Sequence, residues 1–225
     1  MNSIDVYLEL GQKHVFAGAL DWPGWCRSGG NEEAALQALI DYGPRYAQAL
    51  AGAPLKFQAP ADVSAFKVIE RHPGTSTTDF GAPDIAPAAD QRPVDEADLQ
   101  RFQTLLPAYW RAFDAAVAQA AGKTLRKGPR GGGRDLEKIV EHINGADASY
   151  VARLAYKFKR DEGASLQEEL DRTRQAVLDA LTAAARGELP EHGPRGGTLW
   201  QPRYFVRRVA WHLLDHLWEI EDRVS

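Results

Sequence analysis

The sequence predicts an α+β chain: a small N-terminal β-hairpin and helix module, followed by a four-helix bundle. Three observations predict it. Residues 4 to 10 alternate, with Ile4, Val6, Leu8 and Leu10 on one side and Asp5, Tyr7 and Glu9 on the other, which is the pattern of a half-buried strand. From Asp95 onward the apolar residues recur with the helical period. Between the two, residues 73–94 are rich in Pro, Gly, Ala and Thr and have no period, as in a linker or covering loop. The expected division is 1–72, 73–94 and 95–225.

In the first part, Gly11 and Gln12 make a turn, and His14 to Leu20 is the hairpin partner. The run Asp21-Trp22-Pro23-Gly24-Trp25 then breaks the strand pattern. Asn31 is a good helix N-cap, and Glu32 and Glu33 suit the positive end of the helix that follows. That helix runs to about Leu50 with a bend at Gly43-Pro44, and Val63 to Glu70 reads as a third strand.

In the second part, Leu99, Phe102, Leu106, Tyr109, Phe113 and Val117 form the apolar stripe of a first long helix. Pro107 lies inside it and marks a kink or a weak point. A second helix runs from about Arg134 to Arg160, with Leu136, Ile139, Val140, Ile143, Tyr150 and Leu154 on its core face. Ser165 and Glu168 form a capping box that opens a third, and Gly187 closes it. The fourth, Arg203 to Arg223, follows Pro202 and contains no glycine or proline. Two loops, 128–133 and 193–197, carry the same Gly-Pro-Arg-Gly-Gly run. They read first as punctuation between helices and second as anion sites built from backbone N–H groups and arginine. The run AGKT at 121–124 is not the end of a phosphate-binding loop, because Val117 stands where that loop needs glycine.

Composition narrows the function classes. Hydrophobic content of 44% and charged content of 26% are those of a globular protein. A net charge of -4 does not favour nucleic acid as a partner. The single cysteine, Cys26, excludes an internal disulfide framework and suits a reducing compartment, so a cytoplasmic location is expected. No secretory leader is read at the start, and no apolar run approaches the roughly 18 residues of a membrane span.

The chemistry centres on the fourth helix. His212 and His216 are four apart, so both rings leave one face, one turn above the other. His142 lies on the core face of the second helix. If those helices are neighbours, three imidazoles meet and can hold one divalent cation. The competing reading makes them ordinary core histidines, His142 paired with Asp215 and His212 with Glu219. Three ligands leave coordination positions open, which suits catalysis, and zinc, nickel and ferrous iron all accept imidazole. Arg207, Arg208, Asp215, Glu219, Glu221 and Asp222 are expected to orient those rings or to pair with one another. His14, His72 and His192 are read as non-ligands, with His72 and His192 exposed.

The stretches EHINGADASYV at 141–151 and RRVAWHLLDHLWEIEDR at 207–223 resemble the DinB/YfiT-like superfamily, over about residues 95–224. The resemblance implies a DinB-like four-helix bundle. It also implies that the histidine of the second helix and the pair on the fourth bind a divalent metal, which falls on His142, His212 and His216. The implied activity is that of a metal-dependent thiol S-transferase. Its partners would be a small-molecule electrophile and a low-molecular-weight thiol such as bacillithiol or mycothiol, with a homodimer allowed. The alternative is a non-catalytic metal-binding or protein-interaction module, the bundle serving as scaffold or sensor. In the first part, the strand pair, the loop DWPGWCRSGG and the helix start NEEAALQAL resemble the HicB-like antitoxin fold over roughly the first 55 residues. No antitoxin function is taken from that resemblance.

Overall fold

A computed structural model describes residues 3–127, 133–161, 163–193 and 198–225. The fold is α+β, and the chain divides into two compact units, Met1–Arg92 and Pro93–Ser225.

The first unit is a four-stranded sheet with helices. Its strands are β1 (Ile4–Leu10), β2 (Val15–Ala19), β3 (Cys26–Gly29) and β4 (Phe66–Pro73), in the order β3-β2-β1-β4. β1 pairs antiparallel with β2 and parallel with β4. Sequence reasoning missed β3, because Pro23 and Gly24 break the period just before a strand of only four residues. The helix expected up to Leu50 is two, α1 (Glu32–Asp41) and α2 (Gly43–Ala49), separated at the expected bend. The Asn31 side chain caps α1 by accepting from the Ala34 N–H at 2.8 Å. Gly29 allows β3 to approach α1 closely: a Cβ there would lie 2.4 Å from the Ala35 nitrogen. Trp25 and Tyr46 are buried and stacked, half-buried Phe57 packs edge-on against both, and the Trp25 indole N–H donates to the Leu39 carbonyl at 2.9 Å.

Two expectations for this unit need correction. β1 is buried on both faces, Tyr7 and Glu9 included, rather than on one. For Glu9 the cause lies in the segment 73–94, which is more than an unstructured connection. It carries α3 (Ser76–Phe80), capped by Thr75, and a 3-10 turn at Ala88–Gln91. Glu9 accepts from the Thr78 hydroxyl and from the backbone N–H groups of Asp84 and Ile85. Those hydrogen bonds repay part of the cost of burying a carboxylate, yet burial still pushes its pKa above the usual value. A period-2 pattern cannot register a polar face covered by a later segment. His72, expected to be exposed in a loop, is half-buried at the end of β4 and pairs with Glu70 at 2.7 Å.

The second unit contains four long helices: α4 (Glu96–Ala120), α5 (Leu136–Ala152), α6 (Leu166–Ala185) and α7 (Pro202–Arg223). α7 packs against α4, α5 and α6, and α5 packs against α6. Phe205, Val209, Leu213, Leu214, Leu217 and Trp218 of α7 are buried, so its polar stripe is enclosed too. α4 runs through Pro107, which leaves the Gln103 carbonyl without its helical donor. α5 stops at Ala152 instead of Arg160. Beyond Leu154 the apolar period lapses into Lys157, Lys159 and Arg160, and Ala155 takes a left-handed φ of 60°. The capping box of Ser165 and Glu168 forms as expected, and Gly187 follows α6 with a positive φ of 68°. Arg203 near the start of α7 donates to the Pro93 carbonyl and pairs with Asp98, tying α7 to the start of α4. The anion-site readings of 128–133 and 193–197 fall almost wholly outside the described residues. No helix among the described residues is long and apolar enough to cross a membrane.

Candidate metal centre

The packing of α5 against α7 brings His142 to His212 and His216. The periodicity dictates this. Ile139 and Ile143 of α5 are buried, and His142 lies beside them on the edge of the same face. Leu213 and Leu217 do the same for His212 and His216 on α7. The ring centroids stand 4.9 Å (His142–His212), 5.0 Å (His142–His216) and 4.7 Å (His212–His216) apart, each pair edge to face. One ligand nitrogen from each ring lies within 4.8 Å of the others, so the three could hold a metal ion.

The contacts of individual nitrogens test that fit. His142 Nε2 and His212 Nε2 are 3.1 Å apart. Two nitrogens on one tetrahedral zinc at 2.0–2.1 Å stand about 3.3 Å apart, so this spacing is close to a ligating one. His216 Nδ1 meets Glu219 Oε2 at 2.6 Å, which leaves Nε2 as its free nitrogen. His212 Nδ1 is buried with no hydrogen-bond partner among the described residues. Core histidines are usually held by partners on both sides, so this orphan does not suit a purely structural ring. The pairings offered by the competing reading are not those of the structure. Glu219 takes His216 instead of His212, and the His142 Nε2 contact is to another imidazole rather than to Asp215.

Burial and nearby positive charge favour the neutral form of His142 and His212. Burial, then the positive charge of Arg134 and the neighbouring His216, lowers the His142 pKa to about 4. His212 is pushed well below the ordinary histidine value, first by burial, then by His216 and His142, and then by Arg208 and Arg134. A neutral imidazole has the lone pair that a protonated one lacks. Beside the triad stands an aromatic wall. The Tyr150 ring is 5.9 Å from that of His212 and 5.2 Å from that of Trp200, and the Arg208 guanidinium lies 4.9 Å over Trp211. Burial raises the Tyr150 pKa, so its hydroxyl stays protonated.

Of the other residues named from sequence, His192 is exposed and His14 is half-buried on the way into β2. Cys26 is buried in β3. Sequence reasoning missed three buried polar side chains: Asn144 and Asp147 on α5 and Thr173 on α6, each with a side-chain atom lacking a partner among the described residues. The i,i+3 spacing of Asn144 and Asp147 within a buried stripe was the available signal. Burial raises the Asp147 pKa to about 7, against the opposing pull of Arg174.

The chain was also compared with known proteins. No curated protein and no solved structure matches it. The family model described as the DinB superfamily matches residues 105–220, a span that contains His142, His212 and His216 and carries nothing about the first unit. With more than half of its 225 residues matched, the chain belongs to the DinB superfamily.

Proposed function

We propose that His142, His212 and His216 hold one divalent cation at the middle of a DinB-like four-helix bundle formed by α4 to α7, and that the protein is a metal-dependent enzyme of thiol S-transferase type. The observation that carries this reading is the convergence of three imidazoles, two of them buried and one of these with an orphaned nitrogen. Bound there, the cation would act as a Lewis acid that lowers the pKa of an incoming thiol. The chain supplies the rest. Leu213 and Leu217 are buried beside His212 and His216 in the helix, so that the pair is carried on the enclosed side of α7. Half-buried His142 and the wall of Tyr150, Trp200 and Arg208 form the side from which a thiol and an electrophile would enter. The nucleophile comes from outside the chain, because Cys26 is buried in the sheet of the first unit.

One observation favours a second reading. His212 and His216 are only 7% and 9% exposed, which suits a closed binding or sensor site better than an open catalytic one. Metal analysis of freshly purified protein, followed by conjugation of a model electrophile with bacillithiol, mycothiol or glutathione, separates the two. Turnover above the metal-free control supports the transferase. Stoichiometric metal without turnover leaves the binding module.

A further inference from the structure

We propose that Glu219 and Arg223 are positioning residues that fix the His216 imidazole in its Nδ1–H tautomer and aim the lone pair of Nε2 at His142 and His212. The inference rests on the metal reading above for its purpose, but its geometry stands on the chain alone.

The hydrogen bonds run in one direction. Arg223 is buried, and its guanidinium donates from Nη1 to Glu219 Oε1. It donates also from Nε to the Arg126 carbonyl at 2.7 Å and from Nη2 to the Arg134 carbonyl at 2.8 Å. Three of its nitrogens are thus committed, and the fork cannot swing away without losing all three contacts. The terminal residues brace it further: the Arg126 N–H donates to the Arg223 carbonyl at 2.8 Å, and Leu125 bridges Val224. Held by this cation, Glu219 presents Oε2 to His216 Nδ1 at 2.6 Å. A carboxylate only accepts hydrogen bonds, so His216 Nδ1 must be the donor. A neutral imidazole with its proton on Nδ1 has its lone pair on Nε2. One ring nitrogen of His216 lies within 4.8 Å of a nitrogen of His142 and of His212, and with Nδ1 engaged by Glu219, Nε2 is the one left to serve as that ligand atom.

The spacing along α7 makes the relay local. Glu219 is three residues after His216 and Arg223 four after Glu219, so all three lie on one helical face. His212, one turn earlier, has no such partner on Nδ1 among the described residues. The site is therefore built asymmetrically, with His216 held by a carboxylate on Nδ1 and His212 contacted only at Nε2, by His142. A carboxylate on the distal nitrogen also raises the basicity of the ligating one, and losing such a partner commonly weakens metal affinity by about 10–100-fold.

Two measurements on the full chain test this. Nitrogen-15 NMR of the metal-free protein reads the His216 tautomer directly. Nδ1–H in the wild type, shifting to a mixture in Glu219→Ala, is the expected result. Nε2–H in the wild type, or an unchanged tautomer in Glu219→Ala, overturns the proposal. Zinc competition titration is the second measurement. Glu219→Ala should weaken zinc binding about 10–100-fold, Glu219→Gln less because its amide oxygen can still accept, and Arg223→Lys less than Arg223→Ala. Equal affinity in all of these folded variants overturns the positioning role. Wild-type protein that takes up no zinc overturns the metal reading instead, and the tautomer then decides the positioning claim alone.

Discussion

The Nε2 atoms of His142 and His212 face each other at 3.1 Å across the α5–α7 packing. With both rings neutral, one can donate to the other, and the contact survives without a metal. The third ring makes the difference. His216 brings a third ring nitrogen within 4.8 Å of those of the other two, so a single N–H···N bond cannot account for all three rings. Substituting His142, His212 or His216 with Ala should therefore abolish stoichiometric binding of zinc, nickel or ferrous iron. His14→Ala, His72→Ala and His192→Ala should leave it unchanged: His72 is held by Glu70, His192 is exposed, and neither His14 nor the other two belongs to the cluster. Metal content per chain after dialysis is the measurement. Wild-type protein no richer in metal than His212→Ala would return the three to core histidines.

Burial of Cys26 leads to a second expectation. Cys26→Ser should conjugate an added thiol to an electrophile at the wild-type rate. A rate loss that tracks this substitution, in protein that still binds metal, would place a nucleophile inside the chain and refute the external-thiol reading.

A third expectation concerns the arm that holds Arg223. Gly133 has a φ of +139°, and a Cβ at this position would lie 2.5 Å from Arg223 Nη2. Gly133→Ala should displace the guanidinium and weaken zinc binding by up to about 10-fold, the low end of the range for losing an outer partner. A titration equal to wild type would mean that Arg223 does not transmit to His216.

Much of this centre was legible before any coordinates. The i,i+4 pair on α7 and the helical register of His142 put two rings on a buried face and the third at the edge of another, and periodicity sees faces well. It does not see hydrogen-bond partners. Glu219 lies three residues from His216 and seven from His212, but from spacing alone both histidines were candidates for it. Only the rotamers decide, and the Arg223 clamp fixes the Glu219 rotamer through carbonyls 89 and 97 residues away in sequence. The same limit applies in the first unit. The alternation of residues 4 to 10 locates the strand but not its second buried face, where Glu9 is held by backbone donors 75 and 76 residues later. The length of α5 was overestimated because Val151 and Leu154 continue the stripe, while the chain turns at Ala155 by its own backbone conformation.

The two compact units suggest a fourth experiment. A fragment beginning at Pro93 keeps the Arg203 contacts to the Pro93 carbonyl and Asp98. It should remain helical, unfold cooperatively and bind metal as the full chain does. A molten or insoluble fragment would show that residues 1–92 share its core.

The last prediction concerns Asp147. It is 3% exposed, its Oδ1 lacks a partner among the described residues, and its pKa is raised from 3.8 to about 7, chiefly by burial. Arg174 on α6 is the positive charge that opposes the rise, but it is already engaged by both carboxylate oxygens of Asp114. Tyr150, on its own helix, feels the Asp147 charge and is neutral at ordinary pH. The sign follows from proton uptake. Between pH 3.8 and about 7 the folded state holds a proton on Asp147 that the unfolded chain has released. Its contribution to stability is therefore most favourable below 3.8, falls as pH rises through that window, and is flat above about 7. A three-unit rise corresponds to about 4 kcal/mol at the upper limit, at 1.36 kcal/mol per unit. Asp147→Asn keeps the shape and removes the ionisation. It should be more stable than wild type at pH 8 by about 1–4 kcal/mol, with the advantage shrinking toward pH 4. Urea denaturation of both proteins at pH 4, 6 and 8 measures this. An advantage that is constant across the three pH values would show that Asp147 does not titrate in the folded protein, and that a solvent path or a bound partner compensates its charge.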